Sequence, residues 1–167
     1  MEIKPIVTIG MCVRNCASTI KETIESVLNQ DFPHELMEII FVDDGSEDET
    51  LAIIKEYASK MNVRVKIFHH KWKGLGPSRN IVVSNAEGKY IVWVDGNMKL
   101  SKSYVKSQVK FMENNLAVGI AKGRYGLNDC EYHVSILENV PFFVFTYKNA
   151  GKPVEENPGT GGSIYRV

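Results

Sequence analysis

The segment Glu38-Ile39-Ile40-Phe41-Val42-Asp43-Asp44-Gly45-Ser46-Glu47-Asp48-Glu49-Thr50 ends an apolar run in two adjacent carboxylates, and a glycine turn follows. Neighbouring acids in such a place are costly unless something pairs with them. A sugar hydroxyl, a base N–H or a bound metal ion would serve. So would a solvated turn in which Asp43 or Asp44 helps to cap the next helix, and these residues by themselves leave both readings open. A second apolar run, Tyr90-Ile91-Val92-Trp93-Val94, also ends in an acid, at Asp95-Gly96-Asn97. If both runs are parallel strands of one sheet, their carboxyl ends share the edge where ligands of open α/β sheets bind. Asp43, Asp44 and Asp95 are then expected to line one cleft.

Other residues capable of chemistry lack supporting partners. His69 and His70 have none at the spacing of a nucleophile triad or a metal pair, so they read as ordinary surface or strand-end histidines. Cys12, Cys16 and Cys130 are odd in number and form no CxxC pair. They fit a reducing compartment and small packing roles better than a disulfide framework or a metal site. Gly159-Thr160-Gly161-Gly162 looks like a phosphate loop but lacks the Lys-Ser/Thr of a P-loop. Trp72 and Trp93 read as packing residues, with Trp72 in a loop that borders the expected cleft.

The elements that must position these residues alternate along the chain. Residues 6–13 read as a first strand. Thr19-Ile20-Lys21-Glu22 has capping-box spacing ahead of a helix with Ile20, Ile24, Val27 and Leu28 on one face, stopped by Asp31-Phe32-Pro33. The acid-tipped strand 39–43 follows. Ser46-Glu47-Asp48-Glu49 forms a second capping box, and Leu51, Ile54 and Ala58 mark the buried face of the helix behind it. Residues 63–68 alternate with period two, as in a strand near a sheet edge. Pro77 is suited to be the first residue of a helix over 78–86. Strand 90–94 comes next, then a helix over 101–114 capped by Ser101, then a strand over 116–121. After Gly123 the pattern suggests a helix at 130–139 and a strand at 142–147. Repeated strand–helix units of this length imply an α/β fold: a mostly parallel twisted sheet with helices on both faces.

Composition bounds the reading. The chain has 167 residues, 44% apolar and 24% charged, with a net charge of zero. That suits one globular domain and gives no electrostatic reason to expect a nucleic-acid partner. The first residues carry no signal-peptide pattern and no apolar run approaches the ~20 residues of a spanning helix. A cytoplasmic protein is expected, or one at the cytoplasmic face of a membrane that it reaches only through a part beyond residue 167.

Taken in order, these landmarks resemble the family-2 glycosyltransferases of the Rossmann-like GT-A fold. Ser26-Val27-Leu28-Asn29-Gln30-Asp31-Phe32-Pro33 is similar to the family's Ser-x-Leu-x-Gln-x-x-Pro segment. Val42-Asp43-Asp44-Gly45-Ser46 with Asp48 and Thr50 resembles its Asp-Asp-Gly-Ser-x-Asp-x-Thr. Gly76-Pro77-Ser78-Arg79-Asn80 resembles its Gly-x-x-x-Ala-Arg-Asn loop, with Ser78 for alanine, and Glu87-Gly88-Lys89-Tyr90-Ile91 resembles the entry to its Asp-bearing strand. The resemblance covers nearly the whole chain. It implies a single domain over 1–167, with a nucleotide-sugar-binding half (1–122) and the start of an acceptor-side half (123–167). It implies a UDP- or GDP-sugar donor bordered by Val13, Arg14, Asn15, Asp43, Asp44, Arg79 and Asp95. In that scheme Asp44 pairs with the base, and Asp95 holds ribose or the metal-bound diphosphate. Arg79 approaches the base or a phosphate. The implied reaction is inverting transfer of a sugar to an acceptor hydroxyl or a lipid phosphate, on a glycan or lipid acceptor.

The sequence departs from the family in two places. Its Asp-x-Asp is Asp95-Gly96-Asn97 here, so Mn²⁺ or Mg²⁺ at Asp95 and Asn97 is expected to bind weakly without nucleotide. The Glu-Asp pair that supplies the family's acceptor base does not follow Gly161-Gly162-Ser163, and Glu155 and Glu156 precede that stretch. The catalytic base is therefore unassigned, the chain reads as cut short at its C-terminus, and it is expected to bind donor without transferring it. The alternatives are a non-catalytic nucleotide-sugar-binding module and, ranked below it, a phosphoacceptor regulatory domain. The latter would need a strand-end lysine that is not found.

Overall fold

A computed structural model of the chain describes residues 3–122 and 161–167, which belong to one compact unit. The helix expected at 130–139 and the strand at 142–147 lie outside the described residues. Strand β1 (Val7–Val13), helix α1 (Ile20–Leu28), strand β2 (Met37–Asp44), helix α2 (Thr50–Ala58) and strand β3 (Arg64–His70) come first. Helix α3 (Leu75–Asn85), strand β4 (Tyr90–Trp93), helix α4 (Tyr104–Asn114), strand β5 (Ile120–Lys122) and strand β6 (Ser163–Arg166) follow. The six strands form one sheet in the order β3-β2-β1-β4-β6-β5. All neighbours are parallel except the two pairs involving β6, which runs against both β4 and β5.

Burial explains the order. β2 is buried at every position, as a strand covered on both faces must be, and β3 at the edge is only half-buried. Successive side chains point to opposite faces. Val7, Ile9, Met11, Ile39 and Phe41 face one core, filled by Ile20, Ile24 and Val27 of α1, Ile53 and Ile54 of α2, and Val105 and Met112 of α4. Ile40, Val42, Ile91 and Trp93 face the other, covered by Ile81 and Val82 of α3. Each fully buried side chain of this kind contributes about 1.5–3 kcal/mol relative to its exposed state. Three helices therefore cover one face of the sheet and α3 covers the other. Among the described residues no helix is long and apolar enough to cross a membrane.

Several local expectations are corrected. No side chain caps α1, α2 or α4 in the expected way. Thr19 donates instead to the carbonyl of Gly96 at 2.8 Å, because the turn after β4 crosses the start of α1. Ser46 hydrogen-bonds Asp43 rather than the start of α2. The buried face of α2 is Thr50, Ile53 and Ile54, one position round from the expected stripe. α4 begins at Tyr104, three residues after Ser101, and its Val105 N–H is satisfied by Gln30 Oε1 at 2.9 Å. Gln30 also donates to the carbonyls of Ser26 and Ser101, so it ties the end of α1 to the start of α4. α3 begins at Leu75, and Pro77 falls in its first turn, where a missing N–H costs nothing. β5 is shorter than expected. β6, assigned by sequence to the acceptor-side half, is inserted between β4 and β5 of this same sheet.

Candidate active site

The carboxyl ends of β1, β2 and β4 lie on one edge because these strands are parallel. Register then decides which side chains meet. Val13 is aligned with Asp43, and Asp43 with His69; one residue further, Asp44 is aligned with His70. Each acid therefore stands directly across from a histidine. The two pairs point to opposite faces of the sheet, since side chains alternate.

Asp43 is fully buried, with 0% exposure. Its Oδ2 is 2.7 Å from His69 Nδ1 and accepts from the Ser46 N–H at 3.3 Å, and its Oδ1 accepts from the Ser46 hydroxyl. Ser46 Oγ in turn accepts from the Asn15 N–H at 3.0 Å, and Asn15 Oδ1 accepts from the Glu47 N–H at 2.8 Å. Asn15 adopts the left-handed conformation (φ 49°) that this clasp requires and that Asn tolerates. Asp48 accepts from the Ala17 N–H at 3.0 Å, and Thr50 Oγ1 accepts from the Cys16 N–H at 2.8 Å. The Asp-Gly-Ser-x-Asp-x-Thr run thus holds the loop after β1. Asp43 is part of that clasp and offers no surface to a ligand.

Asp44 has another task. It is 6% exposed and faces the α3 side. Its two oxygens accept from the N–H groups of Lys73 at 2.7 Å and Gly74 at 2.9 Å. His70 Nδ1 lies 3.3 Å from Oδ1, and His70 Nε2 lies 3.3 Å from Ser78 Oγ in α3. Asp44 therefore pins the loop between β3 and α3. Gly45 is needed beside it: its φ is 69°, and a Cβ there would lie 2.5 Å from the Trp72 nitrogen.

Asp44, Asp95 and Arg79 all lie near enough to Cys12 to influence its thiol. Burial pushes the Cys12 thiol up to about 12, with Arg79 pulling it down and Asp44 and Asp95 adding to the rise. A thiol so placed is protonated at neutral pH and unreactive, because the thiolate is the nucleophile. At pH 8 it is therefore far less ionised than an ordinary cysteine. Iodoacetamide at that pH should leave Cys12 unmodified in peptide mapping of the native chain and label it fully in urea. Rapid native labelling of Cys12 would contradict this burial.

Arg79 lies over the indole of Trp93, 5.6 Å from its centroid, on the α3 face of the sheet. Asp95 and Asn97 are exposed in the turn after β4. That turn is fixed from below: Thr19 and Thr23 both donate to the Gly96 carbonyl, and a Cβ on Gly96 would lie 2.7 Å from Cys16 Sγ. Val13 is buried beneath it, and Arg14 is exposed above. Sequence reasoning missed three residues. His69 and His70 were invisible as partners because the β2–β3 register was unknown. Lys122, at the end of β5, lies close enough for Asp95 to oppose the burial that lowers its pKa. Only β6, which pairs with both β4 and β5, ties that lysine's strand into this sheet.

Among the described residues no three His, Cys, Asp or Glu side chains gather as a metal site. Asp95 and Asn97 offer one carboxylate and one neutral amide oxygen. That set suits a hard cation whose other ligands are phosphates and water.

Comparison with known proteins agrees with this architecture. The chain is 33% identical over 101 residues to the poly(ribitol-phosphate) beta-N-acetylglucosaminyltransferase TarS of Staphylococcus aureus, a match covering 60% of this chain and 18% of that protein. It is 37% identical over 116 residues to the putative glycosyltransferase EpsE of Bacillus subtilis, covering 69% of this chain and 41% of that protein. The chain thus spans less than half the length of these relatives. Among solved structures, S. aureus TarS 1-349 in complex with UDP matches with a TM-score of 0.72 at 22% identity, over 96% of this chain and 46% of that one. The mannosyltransferase PcManGT from Pyrobaculum calidifontis, in complex with GDP-Man and Mn2+, matches with a TM-score of 0.70 at 22% identity, over 75% and 37%. At these identities the likeness is one of fold, and it is the GT-A fold that the sequence resemblance implied. The family model for Glycosyl transferase family 2 matches residues 8–167, from the second residue of β1 to the last residue of the chain, and the chain belongs to that family.

Proposed function

We propose that the carboxyl edge of β1, β2, β4 and β5 binds a nucleotide-diphosphate sugar with uracil or guanine as its base. The chain serves inverting transfer of that sugar to an acceptor hydroxyl or a lipid phosphate. One observation carries the reading: the parallel pairing of β1 with β2 and β4 puts Asp44 and Asp95 at one edge of the sheet, and Arg79 lies over Trp93 of β4 on the α3 face, so acceptors for base and ribose donors share an edge with a cation for phosphate. Asp44 accepts from the base, Asp95 from ribose, and Arg79 with Lys122 compensates the diphosphate. Val13, Arg14 and Asn15 border the base through their backbone. Asp43 acts by holding that backbone, through Ser46 and Asn15. The UDP, UDP-GlcNAc and GDP-Man complexes of the structural relatives support both candidate bases. Calorimetry of the chain with UDP and with GDP tests the reading, and binding of neither would overturn it.

Asp95 and Asn97 are the residues that would hold a divalent ion. Bound there, the ion would neutralise charge on the leaving diphosphate. Because the protein contributes a single carboxylate, Mn²⁺ should bind the chain weakly by itself and clearly more tightly with UDP present. Asn97→Asp should raise Mn²⁺ affinity in the nucleotide-free chain. Tight Mn²⁺ binding by the unsubstituted chain without nucleotide, seen by the loss of free-ion EPR signal, would contradict the assignment.

A further inference from the structure

We infer that Trp72 is the stacking wall for the donor's nucleobase, an inference that rests on the nucleotide reading of this edge. Trp72 is 67% exposed, in the loop joining β3 to α3. Its ring carries the Arg14 guanidinium on one side and leaves the rest of its surface open. The Trp93 ring, by contrast, is buried in the core under α3.

The segment carrying Trp72 is held at three points. Asp44 accepts from the two N–H groups that follow it, at Lys73 and Gly74. The Trp72 nitrogen packs against Gly45, where a Cβ would lie 2.5 Å away. The guanidinium of Arg14, from the loop after β1, lies 5.1 Å from the indole centroid. The nearby ion pair of Arg14 with Glu47, at 3.6 Å, is exposed and weak. Arg14 is therefore oriented mainly by the ring it stacks on.

This arrangement joins two functions in one carboxylate. The same Asp44 that is proposed to accept from the base also sets the loop that presents the indole. A base hydrogen-bonded at its edge still has its π-face to cover, and an aromatic ring beside the acceptor covers it. Stacking discriminates little between bases, so the wall suits either uracil or guanine, with selectivity left to hydrogen bonds at the base edge.

The test uses the whole chain and three probes: UDP, GDP and inorganic pyrophosphate. Trp72→Ala should weaken UDP and GDP binding about tenfold, and Trp72→Phe should weaken it only about two- to threefold. Pyrophosphate affinity should be unchanged in both variants. UDP should quench the emission of the unsubstituted chain, and the quench should vanish in Trp72→Phe, which retains only Trp93. UDP affinity unchanged in Trp72→Ala, with the unsubstituted chain binding normally, overturns the stacking and leaves the nucleotide site standing. Equal weakening of UDP and pyrophosphate also overturns it, by showing loop damage instead of lost stacking. No binding of either nucleotide by the unsubstituted chain overturns the nucleotide site, and the stacking with it.

Discussion

Asp44→Ala is expected to weaken UDP binding by about 2–3 kcal/mol, roughly 30- to 150-fold, with the fold retained. The effect should exceed the loss of one ordinary hydrogen bond because the carboxylate has two roles. It is proposed to accept from the base, and it accepts from the N–H groups of Lys73 and Gly74 that precede α3. Removing it takes away the ligand contact and releases the loop that presents Trp72. Asp44→Asn keeps one oxygen for that loop and should fall between the two. Calorimetry reads the affinity, and circular dichroism confirms that the variants fold. An affinity unchanged in Asp44→Ala would remove Asp44 from the site.

The second large effect lies at the far end of the same strand. Glu38 is 0% exposed in β2. Its Oε1 accepts from the Thr8 hydroxyl and from the Glu87 N–H, both at 2.6 Å, and Lys66 Nζ lies 3.1 Å from Oε2. Glu38→Ala strands the buried Thr8 hydroxyl, takes the acceptor from the partly buried Glu87 N–H and removes one of the two acids around Lys66. Breaking a buried pair usually costs about 3–5 kcal/mol. Lys66 is partly exposed and keeps Glu87 at 2.5 Å, so about 2–4 kcal/mol is expected here. Glu38→Gln retains an oxygen for Thr8 and Glu87 and should cost less. Asp44 lies six positions beyond Glu38, about 20 Å along the strand. UDP affinity per folded molecule should therefore not change. Urea unfolding measures the first quantity and calorimetry the second. A stability loss below about 1 kcal/mol would show that the clasp of Thr8, Glu38, Glu87 and Lys66 is incidental.

Much of this was legible from the chain because it is local. Asp43, Asp44 and Asp95 end strands by virtue of the apolar runs before them, and period-two alternation placed residues 63–68 near an edge. The apolar stripe of α1 was legible for the same reason, and the order of motifs carried the family. Capping was misread because it depends on what else reaches a helix start. Ser46 was drawn to Asp43, Thr19 to Gly96, and the start of α4 was satisfied by Gln30 from a distant turn. Of the three acids expected in one cleft, Asp43 is the one wholly buried and engaged by His69 and Ser46, because adjacent strand residues point to opposite faces.

What the sequence by itself determined is the set of strands, their acidic tips and the family, each of which depends on residues near one another in the chain. Only the tertiary structure decided what the acids meet. The parallel register of β1, β2 and β3 pairs Asp43 with His69 and Asp44 with His70. The antiparallel entry of β6 between β4 and β5 brings Lys122 toward Asp95. Close approach at Gly45 seats Trp72 beside Asp44. Register and approach are set by side chains far apart in the sequence packing on one another, and no local pattern encodes such distances.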